Sequence, residues 1–178
     1  MSHLALYTFG VLKVPFLDPG PATQEFHESI GTIYGGIDQT PGYVSHAAAV
    51  DPGKGAHFDW KWAQAGEFVV PAWYRKGRTA ETTALAATLS LWTDLRSAYD
   101  FVYTGIHRVA LNRRYDWFEK TDQPGLVFWR VAGTVTPTWQ DGVTKLEYLQ
   151  KHEPVPQAFT FQNPFDPDGT PAALHPER

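Results

Sequence analysis

Four short apolar runs, His3 to Val14, Tyr43 to Val50, Thr83 to Trp92 and Leu126 to Ala132, limit the folds open to this chain more than any other feature. Each has the length of a strand and is bounded by Pro, Gly, Thr or Asp. None approaches the roughly 18 consecutive apolar residues that a membrane span requires.

The intervening segments carry helical periodicity. LDPGPATQEF marks a turn, with Thr23 as one candidate N-cap of a helix reaching about Gly36. Phe26, Ile30, Ile33 and Ile37 recur along one of its faces, while Gly31, Gly35 and Gly36 weaken it. Thr93 and Asp94 open a helix to Tyr103, and a second is expected from Ile106 to about Lys120. A last helix from Pro137 to Lys151, with Pro at N1, aligns Trp139, Val143, Leu146 and Leu149. The order β α β (insert) β α α β α predicts an α+β domain: a ferredoxin-like four-stranded antiparallel sheet with helices on one face. Its other face would need cover, and pairing with a second copy into a dimeric α/β barrel supplies it.

The length of 178 residues fits one domain over residues 1–152, followed by an extended, Pro-rich tail over 153–178 that Phe159, Phe161 and Phe165 pin to the body. A chain of this size buries enough surface to need no disulfide, and having no Cys it can form none and cannot use a thiol nucleophile. The net charge of −4 and the lack of a basic tract argue against nucleic acid as a partner. No basic segment precedes the first apolar residues, so a soluble, cytoplasmic protein is expected. Seven Trp, eight Tyr and eleven Phe are more notable, because aromatic side chains either build a core or line a pocket for a flat organic ligand. Several fall in an aromatic insert at about 53–82, which is expected either to cover a sheet face or to wall a ligand site.

The stretch LSLWTDLRSAYDFVYTGIHRVALNRRYDWFEK, followed by LVFWRV, PTW, KLEYL and AFTFQNPF, resembles domain-of-unknown-function family 3291 of the dimeric α/β-barrel superfamily. The opening HLALYTFGVLKVP is similar as well, so the resemblance covers nearly the whole chain. The chain departs from the family's pattern in the aromatic insert and at Arg130, which follows Trp129 where a second aromatic is expected. The resemblance implies a fold more than an activity. The wider superfamily includes cofactor-free monooxygenases acting on quinols and polyketides, haem-binding enzymes, cyclases and lyases.

His107 is the leading candidate for chemistry, and it matches the histidine of the family's YxGxH-like stretch. If the helix continues through Gly105, then Asp100, Tyr103, His107, Leu111 and Arg114 share one face. Imidazole can move a proton near neutral pH, phenol can bond an oxyanion and guanidinium can hold an enolate, so His107, Tyr103 and Arg114 form the expected catalytic set. The alternative is that His107 and Tyr103 are satisfied polar groups in a helix–sheet interface, with Arg113 and Arg114 solvated or paired with Asp116 or Glu119. Tyr7, Trp60, Trp62, Trp73, Trp92 and Trp129 are the expected pocket wall, with core packing the commoner role for any single Trp.

His3, His27 and His46 lack the spacing of a metal site, so no metal is expected. No dinucleotide fingerprint, phosphate loop or nucleophile elbow is present, and no cofactor is expected, although haem stays open because it needs only one axial histidine. The resulting expectation is cofactor-independent, monooxygenase-like oxidation of a small apolar or aromatic molecule. Two alternatives are an acid–base cyclase, isomerase or lyase, and a non-catalytic binding or dimerisation module.

Overall fold

The computed structural model describes residues 2–16, 18–49, 65–76 and 84–174. Trp60 and Trp62, with most of the aromatic insert, lie outside these residues.

Four antiparallel strands form one sheet in the order β2-β3-β1-β4, where β1 is Ser2–Val11, β2 Tyr43–Ala49, β3 Leu85–Trp92 and β4 Leu126–Ala132. The register sets Tyr7 opposite Leu89 on one side and Val127 on the other, and Ala5 opposite Trp129. Side chains alternate across the sheet. Ala5, Tyr7, Phe9, Leu85, Leu89, Val127 and Trp129 therefore share one face, while Leu4, Leu6, Trp92 and Phe128 share the other.

The expectation of helices on one face needs correction, because both faces are covered within one chain. The helices α1 (Pro21–Tyr34) and α3 (Leu95–Tyr103), the 3-10 turn Ile37–Gln39 and the C-terminal segment cover the Leu4 face. On the Tyr7 face lie α6 (Trp139–Leu149), the short α2 (Ala72–Arg75) and the segment 65–70. Between α3 and β4 run α4 (Gly105–Asn112) and α5 (Arg114–Trp117). The physical reason is the apolar stripe of α6: Trp139, Val143 and Leu146 are all buried against Tyr7 and Trp129. The sheet face that would have needed a second copy is thus closed by the chain's own last helix.

Two helix starts also differ from expectation. Thr23 is not the cap of α1: Gly20 holds that position, Pro21 opens the helix, and Thr23 is buried in the first turn. Pro137 precedes the cap of α6, which is Thr138. The Thr138 hydroxyl accepts from the Asp141 N–H and the Asp141 carboxylate accepts from the Thr138 N–H, a reciprocal capping box. Asp94 caps α3 by accepting from the Ser97 N–H at 2.8 Å.

The C-terminal segment shields the edge of β4 with a reciprocal backbone pair between Phe128 and Phe159. Phe159 is fully buried, and Phe161 and Phe165 pack beside it. Arg130 donates to the Phe165 carbonyl at 3.0 Å, so the residue standing where an aromatic was expected ties this segment down.

Candidate functional site

The expected pocket wall does not form a single surface. Tyr7 and Trp129 are buried under α6, and the edge of Trp139 meets the Tyr7 ring at a centroid distance of 6.3 Å. A Cβ on Gly142 would lie 2.6 Å from the Tyr7 ring, so glycine is what lets α6 come this close. Trp73, on α2, meets Phe9 edge to face at 5.5 Å on the same side. Trp92 is on the opposite face, its indole N–H donating to the Ser90 hydroxyl at 2.9 Å. The Tyr7 hydroxyl is buried without a partner, and burial, reinforced by the charge of Glu147, keeps it protonated well above the ordinary phenol range. These aromatics fill space that a ligand pocket would have left open.

The single line of Asp100, Tyr103, His107 and Arg114 is also broken. Thr104 is extended (φ −124°, ψ 170°) and Gly105 is left-handed at φ +53°, so α3 ends and α4 starts on a new axis. Tyr103 packs at a tilt against Tyr99 and meets Phe161 edge to face. Burial raises its pKa, with Tyr99 adding to the rise and Arg114 opposing it. Arg114 is exposed, lies over the Tyr115 ring and donates to the Leu111 carbonyl at 2.8 Å. Arg113 is paired with Asp116 at 3.0 Å and with Glu25.

The break nevertheless creates a cleft of about 360 Å³ between the end of α1 and the α3–α4 corner. Thr32, Ile33 and Gly36 line one side, and Asp100, Phe101 and Thr104 to His107 line the other. The chain turns tightly into this wall at Gly42, where φ is +76° and a side chain would strike Ser97. The cleft lining is mixed, combining hydroxyls and a carboxylate with Phe101, Ile33 and Ile106.

The His107 ring packs at a tilt against Phe101 with centroids 4.8 Å apart, and the Phe101 ring in turn lies 5.1 Å from Trp92 in the core. Its Nδ1 is buried and makes no regular hydrogen bond. Burial lowers the imidazole pKa and the Phe101 backbone opposes this only in part, so the ring is neutral at pH 7. The first backbone bond of α4 runs from the Arg108 N–H to the Thr104 carbonyl. The preceding N–H groups of Gly105, Ile106 and His107 therefore have no intrahelical partner, and no acidic side chain occupies the first turn. A neutral imidazole thus stands on the first turn of α4, whose leading three N–H groups have no intrahelical partner at the positive end of a helix; the imidazole could take a proton and the N–H groups could face an anion. The Asp100 carboxylate opposes an anion there, but Arg96 bonds it at 3.0 Å.

Sequence reading identified His107 but missed Thr32, Ile33 and Gly36, because their approach to α4 is a tertiary contact. The available signal for the helix break that forms the cleft was Thr104-Gly105, a helix stop and start. Among the described residues no group of three His, Asp or Glu could hold a metal ion, and no helix is long and apolar enough to cross a membrane.

The chain is an α+β protein built on one four-stranded antiparallel sheet with a histidine-bearing cleft at a helix junction. The family model described as Domain of unknown function (DUF3291) matches residues 3–175, and the chain belongs to that family. No curated protein matches it. Among solved structures, it is similar to a protein of unknown function from Nitrosomonas europaea, at 9% identity and a TM-score of 0.44, over 78% of this chain and 97% of that one.

Proposed function

We propose that the chain is a small-molecule enzyme whose chemistry is proton transfer without a resident cofactor, carried out in the His107 cleft. The observation carrying this reading is the neutral, partly buried imidazole next to the open N-terminus of α4. The substrate class it fits is a small organic molecule with an acidic C–H or O–H beside a carbonyl or carboxyl group. His107 removes the proton, and the N–H groups of Gly105 to His107 receive the developing oxyanion. Collapse of that anion gives an isomerase, cyclase or lyase.

Monooxygenase-like oxidation of a phenolic or quinol substrate begins from the same anion but calls for a dry pocket, and the open, hydroxyl-lined cleft favours it less. Haem gains no support from that lining either. Tyr103 and Arg114 act in this proposal at most through the local field. Tyr7, Trp73, Trp92 and Trp129 serve as packing, while Trp60 and Trp62 lie outside the described residues.

The strand order β2-β3-β1-β4 supports a ferredoxin-like arrangement, and with it the dimeric α/β-barrel superfamily. Because α6 occupies the sheet face through which two copies would pair, a homodimer would use another surface, and Ile106 and Val109 on α4 are among the exposed apolar side chains of the described residues.

The deciding experiment incubates the protein in D2O with small keto acids, hydroxy acids, β-diketones and phenols, following loss of substrate protons and the His107 ring signals by NMR. Exchange in the wild type that falls by at least ~100-fold in His107→Ala, with the fold retained, is expected for a general base. Binding at the cleft with no exchange or turnover for any compound would instead favour the non-catalytic binding module. Oxygen consumption coupled to turnover would restore the monooxygenase reading.

A further inference from the structure

A second concavity of about 140 Å³ lies where the chain leaves β1 and enters α1, away from His107. Phe16, Phe26 and Trp117 form an aromatic box, with Phe26 at 6.3 Å from Phe16 and 5.6 Å from Trp117. Leu12 adds to the apolar wall, and Thr23 completes it. Thr23 is 5% exposed, and its hydroxyl is buried with no hydrogen-bond partner. A buried hydroxyl is normally satisfied, so one left open beside an aromatic pit is an unexplained polar group. The volume is close to that of an engineered apolar cavity of about 150 Å³ that takes up benzene.

We propose that this pit is a binding site for a neutral, single-ring phenol, whose ring stacks within the aromatic box and whose hydroxyl pairs with Thr23. Charge decides against a carboxylate. Asp116 lines the pit, and the cations beside it are engaged: Lys13 donates to the Tyr115 carbonyl at 2.6 Å, and Arg113 lies over the Trp117 ring. Asp116 in turn is bonded by Arg113 at 3.0 Å, so none of these charges is directed at a ligand. A saturated ring of the same size would fill the volume but would forgo the edge and face contacts that aromatic pairs make.

The test uses 19F NMR of protein labelled with 5-fluorotryptophan, with the Trp117 signal assigned from Trp117→Phe, titrated with phenol, toluene and benzoate. Saturable shifts of the Trp117 signal by phenol are expected, with benzoate much weaker. Thr23→Val keeps the shape and removes only an unpaired hydroxyl, so it should fold. It should weaken phenol roughly fivefold, the worth of one neutral hydrogen bond, and leave toluene unchanged. No saturable shift with phenol, or equal phenol binding in Thr23→Val, would overturn the proposal. His107→Ala keeps this binding intact if the pit is a separate site. Loss of the phenol response in that variant would assign the signal to the other cleft and would also overturn the proposal, whereas failure of proton exchange at His107 leaves it standing.

Discussion

The two faces of the sheet are covered by the same kinds of element but to opposite chemical effect. On the Tyr7 face, α6 lies so close that Gly142 touches a ring, and the buried side chains there are almost entirely apolar. On the Leu4 face, polar groups reach into the sheet. Thr8 and Thr88 share a hydrogen bond at 2.6 Å, Trp92 donates to Ser90, and the Tyr43 hydroxyl bonds His46 Nδ1 at 2.6 Å. Tyr34 lies over this network, its phenol pushed up to about 12 by burial with Thr88 partly opposing. The face closed by α6 is the more apolar one, and the His107 cleft opens beside the face that carries hydrogen-bonded polar groups. Aromatic rings pack both faces, so aromatic content alone does not separate core from pocket in this chain.

The most severe way to break this contrast is Trp139→Ala. It removes a buried ring from the packed face and should cost about 3–5 kcal/mol, read as a lower urea midpoint. Phe101→Leu, half-buried at the cleft, should lose well under half of that. If the two losses were equal, the faces would not differ in packing.

Tyr7→Phe sharpens the same point with a smaller effect. Its hydroxyl is buried and unpaired, so its removal should leave stability unchanged or raise it by about 1 kcal/mol, whereas a hydrogen-bonded hydroxyl would cost a similar amount. Thermal melts of the two proteins separate these outcomes.

The smallest effect is a pH dependence on the cleft side. Burial depresses the folded pKa of His107, so in acid the unfolded chain binds a proton more readily than the folded one. Stability from this group is full above the ordinary imidazole value of about 6.5, falls as pH drops below it, and levels off once the folded ring is also protonated. His107→Gln should flatten that part of a urea-midpoint profile. An identical acid-side slope in both proteins would mean that the ring is not desolvated.

The strands were legible in the sequence because each is a single apolar run with turn chemistry at its ends. Leu126–Ala132 falls where LVFWRVA places it, and β1, β2 and β3 lie within a few residues of expectation. The α6 stripe was equally readable, since Trp139, Val143 and Leu146 recur with helical spacing. The His107 cleft was legible only as one residue. Joining His107 to Tyr103 and Arg114 assumed a continuous helix, and Gly105 with its positive φ was the sign that the helix stops.

Local preference, period and turn chemistry act over a few residues, and so the sequence by itself determined the strands, α3 and the buried stripe of α6, whereas the helix expected over 106–120 divides into α4 and α5. Which face of the sheet α6 covers was decided by the tertiary structure, because an apolar stripe is equally buried on either side until Gly142 meets Tyr7. The same holds for the cleft. His107 becomes a desolvated imidazole only when α1 and Phe101 close around it, and burial of that kind depends on groups far apart in the chain.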